Sequence, residues 1–279
     1  MAQILGGPTV PLDILLTSQR EVGGLWLRLP KKPLLDALGP EVVQKPEDKQ
    51  APSRGAKSLG VAVNDLKQIG LAVHNYHDSN GQLPPRAVVD NKGKPLLSWR
   101  VAILPYIEQQ PLFNQFKLDE PWDSEHNKKL IAKMPPLYRG PNAKLNGEFK
   151  TVYLAPSADD TVFPPDAARI NFAGITDGLS NTIMVVEAND DKAAVWTKPD
   201  DLPLDMKAPV VGLVRPGQDV FLALFGDGSV RRVSTKHEPA DLAAAFTRAG
   251  GEVVQLDDRP ARKVSAGPKT GFEITNDMK

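Results

Sequence analysis

Asn64-Asp65-Leu66-Lys67-Gln68-Ile69-Gly70-Leu71-Ala72-Val73-His74-Asn75-Tyr76-His77-Asp78-Ser79-Asn80-Gly81-Gln82-Leu83-Pro84-Pro85 is the stretch that decides the fold. Leu59, Ala62, Leu66, Ile69, Val73 and Tyr76 recur at three- and four-residue steps, so a helix lays them on one stripe and leaves Lys67, Gln68, His74 and Asn75 largely off it. Asn80-Gly81 supplies residues that tolerate the left-handed C-cap of a helix, and Pro84-Pro85 forbids continuation. A helix from about Ala56 to Ser79 is ~36 Å long, more than a small sheet needs for cover, so its first turns are expected to project.

Downstream, the pattern stays helical for a while and then turns to sheet. Ser98 is placed to N-cap a helix carrying Trp99, Ala102, Ile103, Tyr106 and Ile107, broken by Pro105; Pro111 opens another turn with Leu112, Phe113 and Phe116. Asp123 or Ser124 caps a helix that runs to Met134 and stops at Pro135-Pro136. Short β-rich runs follow at 151–154, 171–175, 182–188, 194–197, 210–214, 220–225 and 229–234, with turn residues spaced for an antiparallel sheet. A last helix at 239–249 closes on Gly250-Gly251 before a strand at 252–256. The expectation is an α+β fold, a long amphipathic helix on an antiparallel sheet with helical insertions between them. Upstream, Leu25-Trp26-Leu27-Arg28-Leu29 alternates like a strand and 33–38 reads as a short helix, so 1–43 is taken as a short folded remnant or N-terminal extension. The polar, proline-bearing 44–55 is a linker, 56–256 the main domain, and 257–279 a loose polar tail.

Composition narrows the function classes. The chain has 279 residues and 41% apolar content, enough for an ordinary core. Lys and Arg total 34 against 34 acidic residues, which disfavours nucleic acid as a partner. Zero cysteines exclude disulfides, thiolate metal sites and cysteine nucleophiles. The longest apolar run, 220–225, is far below the ~18 residues that span a bilayer. Met1-Ala2-Gln3-Ile4-Leu5-Gly6-Gly7 has neither the basic start nor the apolar run of a signal peptide.

Six motifs in order, Leu66 to Asp78, Leu97-Ser98-Trp99-Arg100-Val101, Leu104-Pro105-Tyr106-Ile107-Glu108-Gln109, Pro121-Trp122-Asp123, Thr176-Asp177-Gly178-Leu179-Ser180-Asn181-Thr182 and Phe225-Gly226-Asp227-Gly228-Ser229-Val230, resemble the prepilin-like "domain of unknown function 1559" family abundant in planctomycete bacteria. The resemblance covers about 56–256. It implies a pseudopilin-like architecture and a place at the cell envelope, with protein partners or self-assembly, and it lends no reaction. Members commonly begin with a prepilin leader and a hydrophobic helix; the expectation is either a soluble relative or a start that lies downstream of a lost leader or domain. Two family positions differ here. Leu222 stands where relatives often carry a histidine, and Gly140 where many carry a cysteine.

The candidate chemistry is sparse. Asp119, Asp123 and Glu125 crowd carboxylates onto a turn, as a Ca²⁺ loop would, although Asp123 and Glu125 are equally explained as a cap and a first-turn acid. His74 and His77 at i, i+3 are a weaker transition-metal pair, without a third ligand in sequence. Ser180 follows Asp177 but lacks a nucleophile elbow and a nearby histidine, so turn chemistry accounts for that loop. Glu187 ends an apolar run and is expected to pair with a cation such as Arg100 or Arg169; Trp196 offers a stacking face for a sugar or a partner, against the expectation of a core or sheet-edge tryptophan. The reading that follows is a non-catalytic structural or interaction module of the envelope, with a small-ligand or Ca²⁺-binding module as the alternative and a hydrolase third. No cofactor other than Ca²⁺ is implied.

Overall fold

The computed structural model describes residues 58–252 except 167, together with 254, 256 and 258. The strand and helix expected within 1–43, the linker at 44–55 and nearly all of the tail lie outside the described residues, and the strand expected at 252–256 lies partly outside them.

Helix α1 (Leu59–Asn80) starts where Ser58 accepts the Val61 N–H and ends at Gly81, whose φ of 70° lets its N–H close on His77 O at 2.7 Å. Ala62, Leu66, Ile69 and Val73 are fully buried, with Leu59 and Tyr76 half-buried against the same core. Within the described residues the first turn does not project: Leu59 already packs on the core and Ala62 is enclosed. The insertions account for this, because the segments between helix and sheet widen the surface that α1 covers; α1 meets the 3-10 turns Leu104–Ile107 and Pro136–Tyr138 as well as the sheet.

Beyond α1, β1 (Ala87–Val89) and β2 (Pro95–Ser98) form a ribbon the sequence reading did not anticipate. Ser98 caps α2 (Trp99–Ala102) as expected, and a 3-10 turn replaces helix at Pro105. Short α3 (Gln110–Phe113), the 3-10 stretch Asn127–Lys133 and α4 (Ala143–Gly147) complete the insertions. Then come β3 (Lys150–Thr151), β4 (Tyr153–Leu154), β5 (Pro156–Ser157), β6 (Ile183–Glu187), β7 (Ala194–Val195), β8 (Leu202–Pro203), β9 (Val220–Phe225), β10 (Val230–Ser234) and α5 (Pro239–Ala244). The main sheet has the order β10-β9-β6-β4 and is antiparallel throughout. The molecule is α+β: its long helix lies on an antiparallel sheet.

Both faces of this sheet are covered. Leu222 and Leu224 face α1, while Phe221, Ala223 and Phe225 join Val233, Leu242 and Phe246 on the other side. Register across β6 and β9 pairs Val185 with Leu224 and Val186 with Ala223, but Ile183 with Phe225, so Met184 is an extra residue. That bulge lets consecutive Met184 and Val185 both enter the helix-side core.

Two expected strands are not strands. At 171–175, Asn171 Oδ1 accepts the Gly174 N–H at 2.9 Å and bends the chain into the 3-10 turn Phe172–Gly174. At 210–214, Gly212 sits at φ 84° among turns, its carbonyl accepting the Asn189 N–H. The last helix stops at Ala244, short of 249.

Candidate functional site

The face that carries Asp119, Asp123 and Glu125 is built around Asn127. This side chain is fully buried: its Nδ2 donates to Lys117 O (2.9 Å), Glu120 O (3.0 Å) and Pro121 O (3.2 Å), and its Oδ1 accepts the Lys117 N–H at 3.0 Å. An amide therefore occupies the centre of the loop, where its N–H donors meet carbonyls that a hard cation would otherwise attract. Ser124 accepts the Asn127 N–H at 3.0 Å and starts the 3-10 stretch; Asp123 makes no capping bond. Asp119, Asp123 and Glu125 are exposed, and among the described residues no group of three or more acidic or imidazole side chains is gathered as a metal site. Glu120 instead meets Lys117 at 2.8 Å, and hydrogen bonds from Lys117 and Ser124 hold its carboxyl below the usual range.

Beside this loop lies an open groove of 400 Å³, with Phe116 and Leu130 as its apolar lining and Lys117, His126 and Lys129 among its polar lining. Its size falls within the range of small-molecule and peptide-side-chain sites. Trp196 supports Phe116 edge-on at 5.9 Å, stacks with Tyr138 at 5.8 Å, and donates its indole N–H to Ile131 O at 2.8 Å. Trp196 is a core residue, unavailable for stacking on a ligand.

The two histidines are tied into the fold. The Phe172 ring packs on both imidazoles, 4.6 Å from His74 and 4.2 Å from His77. His74 Nε2 donates to Gly226 O at 2.8 Å, tying α1 to the β9–β10 turn. His77 Nε2 faces the Phe172 N–H at 3.5 Å and its Nδ1 lies 3.6 Å from Asp78.

The buried charges brace the fold. Asp177 is the residue whose role the sequence concealed: its carboxylate accepts the Gly250 and Gly251 N–H groups at 2.7 and 2.8 Å, more than seventy residues away. Within its own loop, Asn181 and Thr182 bond back to Asp177 O and Gly178 O, as turn chemistry predicts, and Ser180 is exposed. Glu187 is almost fully buried, but its guanidinium partner is Arg215 at 2.9 Å and neither Arg100 nor Arg169. Arg215 also holds Asp190 at 3.0 Å; burial works against its charge, and the two carboxylates outweigh burial and push its pKa up.

Arg100 is committed elsewhere, to Asp201. Both side chains are fully buried and 2.6 Å apart. Asp201 Oδ1 also accepts from Trp99 Nε1 (3.1 Å) and the Ala155 N–H (3.0 Å), while Arg100 donates to Tyr153 O and Ser98 Oγ. Burial raises the Asp201 carboxyl above its ordinary range, against the pull of Arg100 and those N–H donors. Sequence separation of a hundred residues hid the pair.

A family described as "protein of unknown function (DUF1559)" matches residues 63–155 and 139–216, together more than half of the chain. The chain belongs to this family. No curated protein and no solved structure matches it. The family match ends before β9 and β10, yet β9 pairs with β6 at the middle of the main sheet, so the folded unit continues past the matched residues. Leu222 is in the helix-side core, and a Cβ on Gly140 would stand 2.8 Å from Val152 Cγ2, leaving no room for a larger side chain without movement of Val152. Among the described residues, no helix is long and apolar enough to cross a membrane.

Proposed function

We propose that this chain is a non-catalytic structural or interaction module of the bacterial cell envelope, pseudopilin-like in setting one long helix on an antiparallel sheet. The observation that carries the reading is the employment of its ionisable side chains. Asp177, Arg100, Asp201, Glu187, Arg215 and His74 are each engaged with backbone groups or with one another as braces between distant segments. Catalytic acids and bases need instead to face a cleft and a substrate. Family membership and the family's resemblance to prepilin-like proteins support the envelope placement.

The test is a turnover screen of the full chain against esterase, phosphatase and glycosidase substrates, expected to stay at background. Activity that disappears with Ser180→Ala or Glu187→Gln would overturn the non-catalytic reading. Cell fractionation of a tagged chromosomal copy tests the location; recovery wholly in the cytosolic fraction would remove the envelope from the proposal.

A further inference from the structure

We propose that the lysine-rimmed groove and the adjoining Leu118 and Asp119 form a two-fold interface through which two copies of this chain associate. The proposal rests on the interaction-module reading and names its partner as a second copy.

The groove asks for an occupant that is apolar at its tip and anionic beside it. Its floor is Phe116 and Leu130, each buried below it. On its rim, Lys117 is neutralised by Glu120 at 2.8 Å, whereas the Lys129 side chain has no acidic partner among the described residues. Outside the lining, Lys133 donates to the neutral Oε1 of the lining residue Gln115 at 2.6 Å. An apolar floor under uncompensated lysines is poorly served by an inorganic anion, which has nothing to bury, and a neutral apolar group leaves the charge unmet.

The two residues that follow Lys117 in sequence offer that occupant. Leu118 is 39% exposed, a large apolar side chain left in water, and the next residue is the exposed carboxylate Asp119. Leu118 directly follows Lys117, which lines the groove, so the projection stands beside the recess in its own chain. A surface that holds adjacent projection and recess, of opposite charge, is self-complementary about a two-fold axis: each copy seats its Leu118 in the other's groove and sets Asp119 against the other's Lys129. The contact is small and rimmed by exposed charge, which places it among weak, salt-sensitive associations.

Sedimentation velocity of the full chain over a concentration series tests this. The expected result is a reversible monomer–dimer equilibrium that weakens as salt is raised. Lys129→Glu and Asp119→Lys should each weaken it by about tenfold or more, because each creates two like-charge contacts per dimer. Mixing these two variants should restore dimerisation as a heterodimer, visible by native mass spectrometry, since the exchanged charges again meet as opposites. Leu118→Ser should also weaken the dimer. A wild-type chain that is monomeric throughout, a dimer indifferent to both charge changes, or a mixture that stays monomeric would each overturn the interface. None of these outcomes bears on the turnover screen, so failure here and failure of the non-catalytic reading are separately visible.

Discussion

Replacing glycine by alanine at two places in α1 should move stability in different directions, because only one of the two glycines touches the sheet. A Cβ on Gly60 would have nothing within 4 Å, whereas a Cβ on Gly70 would lie 2.8 Å from Leu224 Cδ1 and 3.5 Å from Gly228 Cα. Alanine gains up to about 1 kcal/mol over glycine within a helix, and less at Gly60, which is in the first turn. At Gly70 that gain is opposed by overpacking of about 1–3 kcal/mol, since Leu224 is itself fully enclosed and cannot swing away without disturbing its neighbours. Gly60→Ala should therefore be neutral to stabilising by roughly 0.5 kcal/mol, and Gly70→Ala neutral to destabilising by about 2 kcal/mol. Urea melts of the full chain, fitted with a common slope, give the difference between the two variants, with Gly70→Ala the less stable by up to about 2.5 kcal/mol. Equal stabilisation by both substitutions would refute the close approach of α1 to the β9–β10 hairpin. It would take with it the explanation of why this helix tolerates a glycine at its centre.

Asp201→Ala should destabilise by about 3–5 kcal/mol in the same melts, because it leaves the Arg100 guanidinium buried without a counterion. The double change Arg100→Met with Asp201→Leu should recover part of that loss, and a double variant as unstable as the sum of the singles would argue against the pair. Gly228, at φ 80° in the hairpin, should cost roughly 1 kcal/mol or more when replaced by valine, and an unchanged melting temperature would remove that turn assignment. Ile69→Ala should cost about 2–5 kcal/mol and Leu59→Ala less, as Leu59 is only half-buried; equal costs would mean that the helix start is as enclosed as its middle. Calorimetry with Ca²⁺ should give no strong heat for the wild-type loop, and tight binding lost in Asp119→Asn would show that Asn127 yields its place to a cation.

Periodicity carried much of the helix and the centre of the sheet. The stripe from Leu59 to Tyr76 and the stop at Gly81 are set by neighbours within a few residues, and the run at 220–225 coincides with β9. Ser98 and Gly228 were legible for the same local reason. What failed was of two kinds. At 171–175 and 210–214, apolar composition resembled a strand, but an Asn171 side-chain bond and a positive φ at Gly212 bent the chain. The other failures were partnerships at long range: nothing near Glu187 in sequence points to Arg215, and nothing near Arg100 points to Asp201. In the acidic turn at 119–125 the organising group is the neutral Asn127, whose bonds to Lys117, Glu120 and Pro121 carbonyls no local pattern announces.

The ends of the main sheet bear on how one copy of such a chain stays apart from the next. At one margin β4 is two residues long, and at the other β10 carries Arg231 and Arg232 in the middle of the strand. The Arg231 guanidinium is anchored 4.1 Å over the Phe225 ring and lies 3.5 Å from Asp227, so its charge is fixed at that margin. A short margin and a charged one are the two devices that deny an incoming strand a template. Polymerisation by backbone pairing, the route to fibres, is thereby discouraged, and contact between copies is left to side chains, whose strength can be tuned one residue at a time.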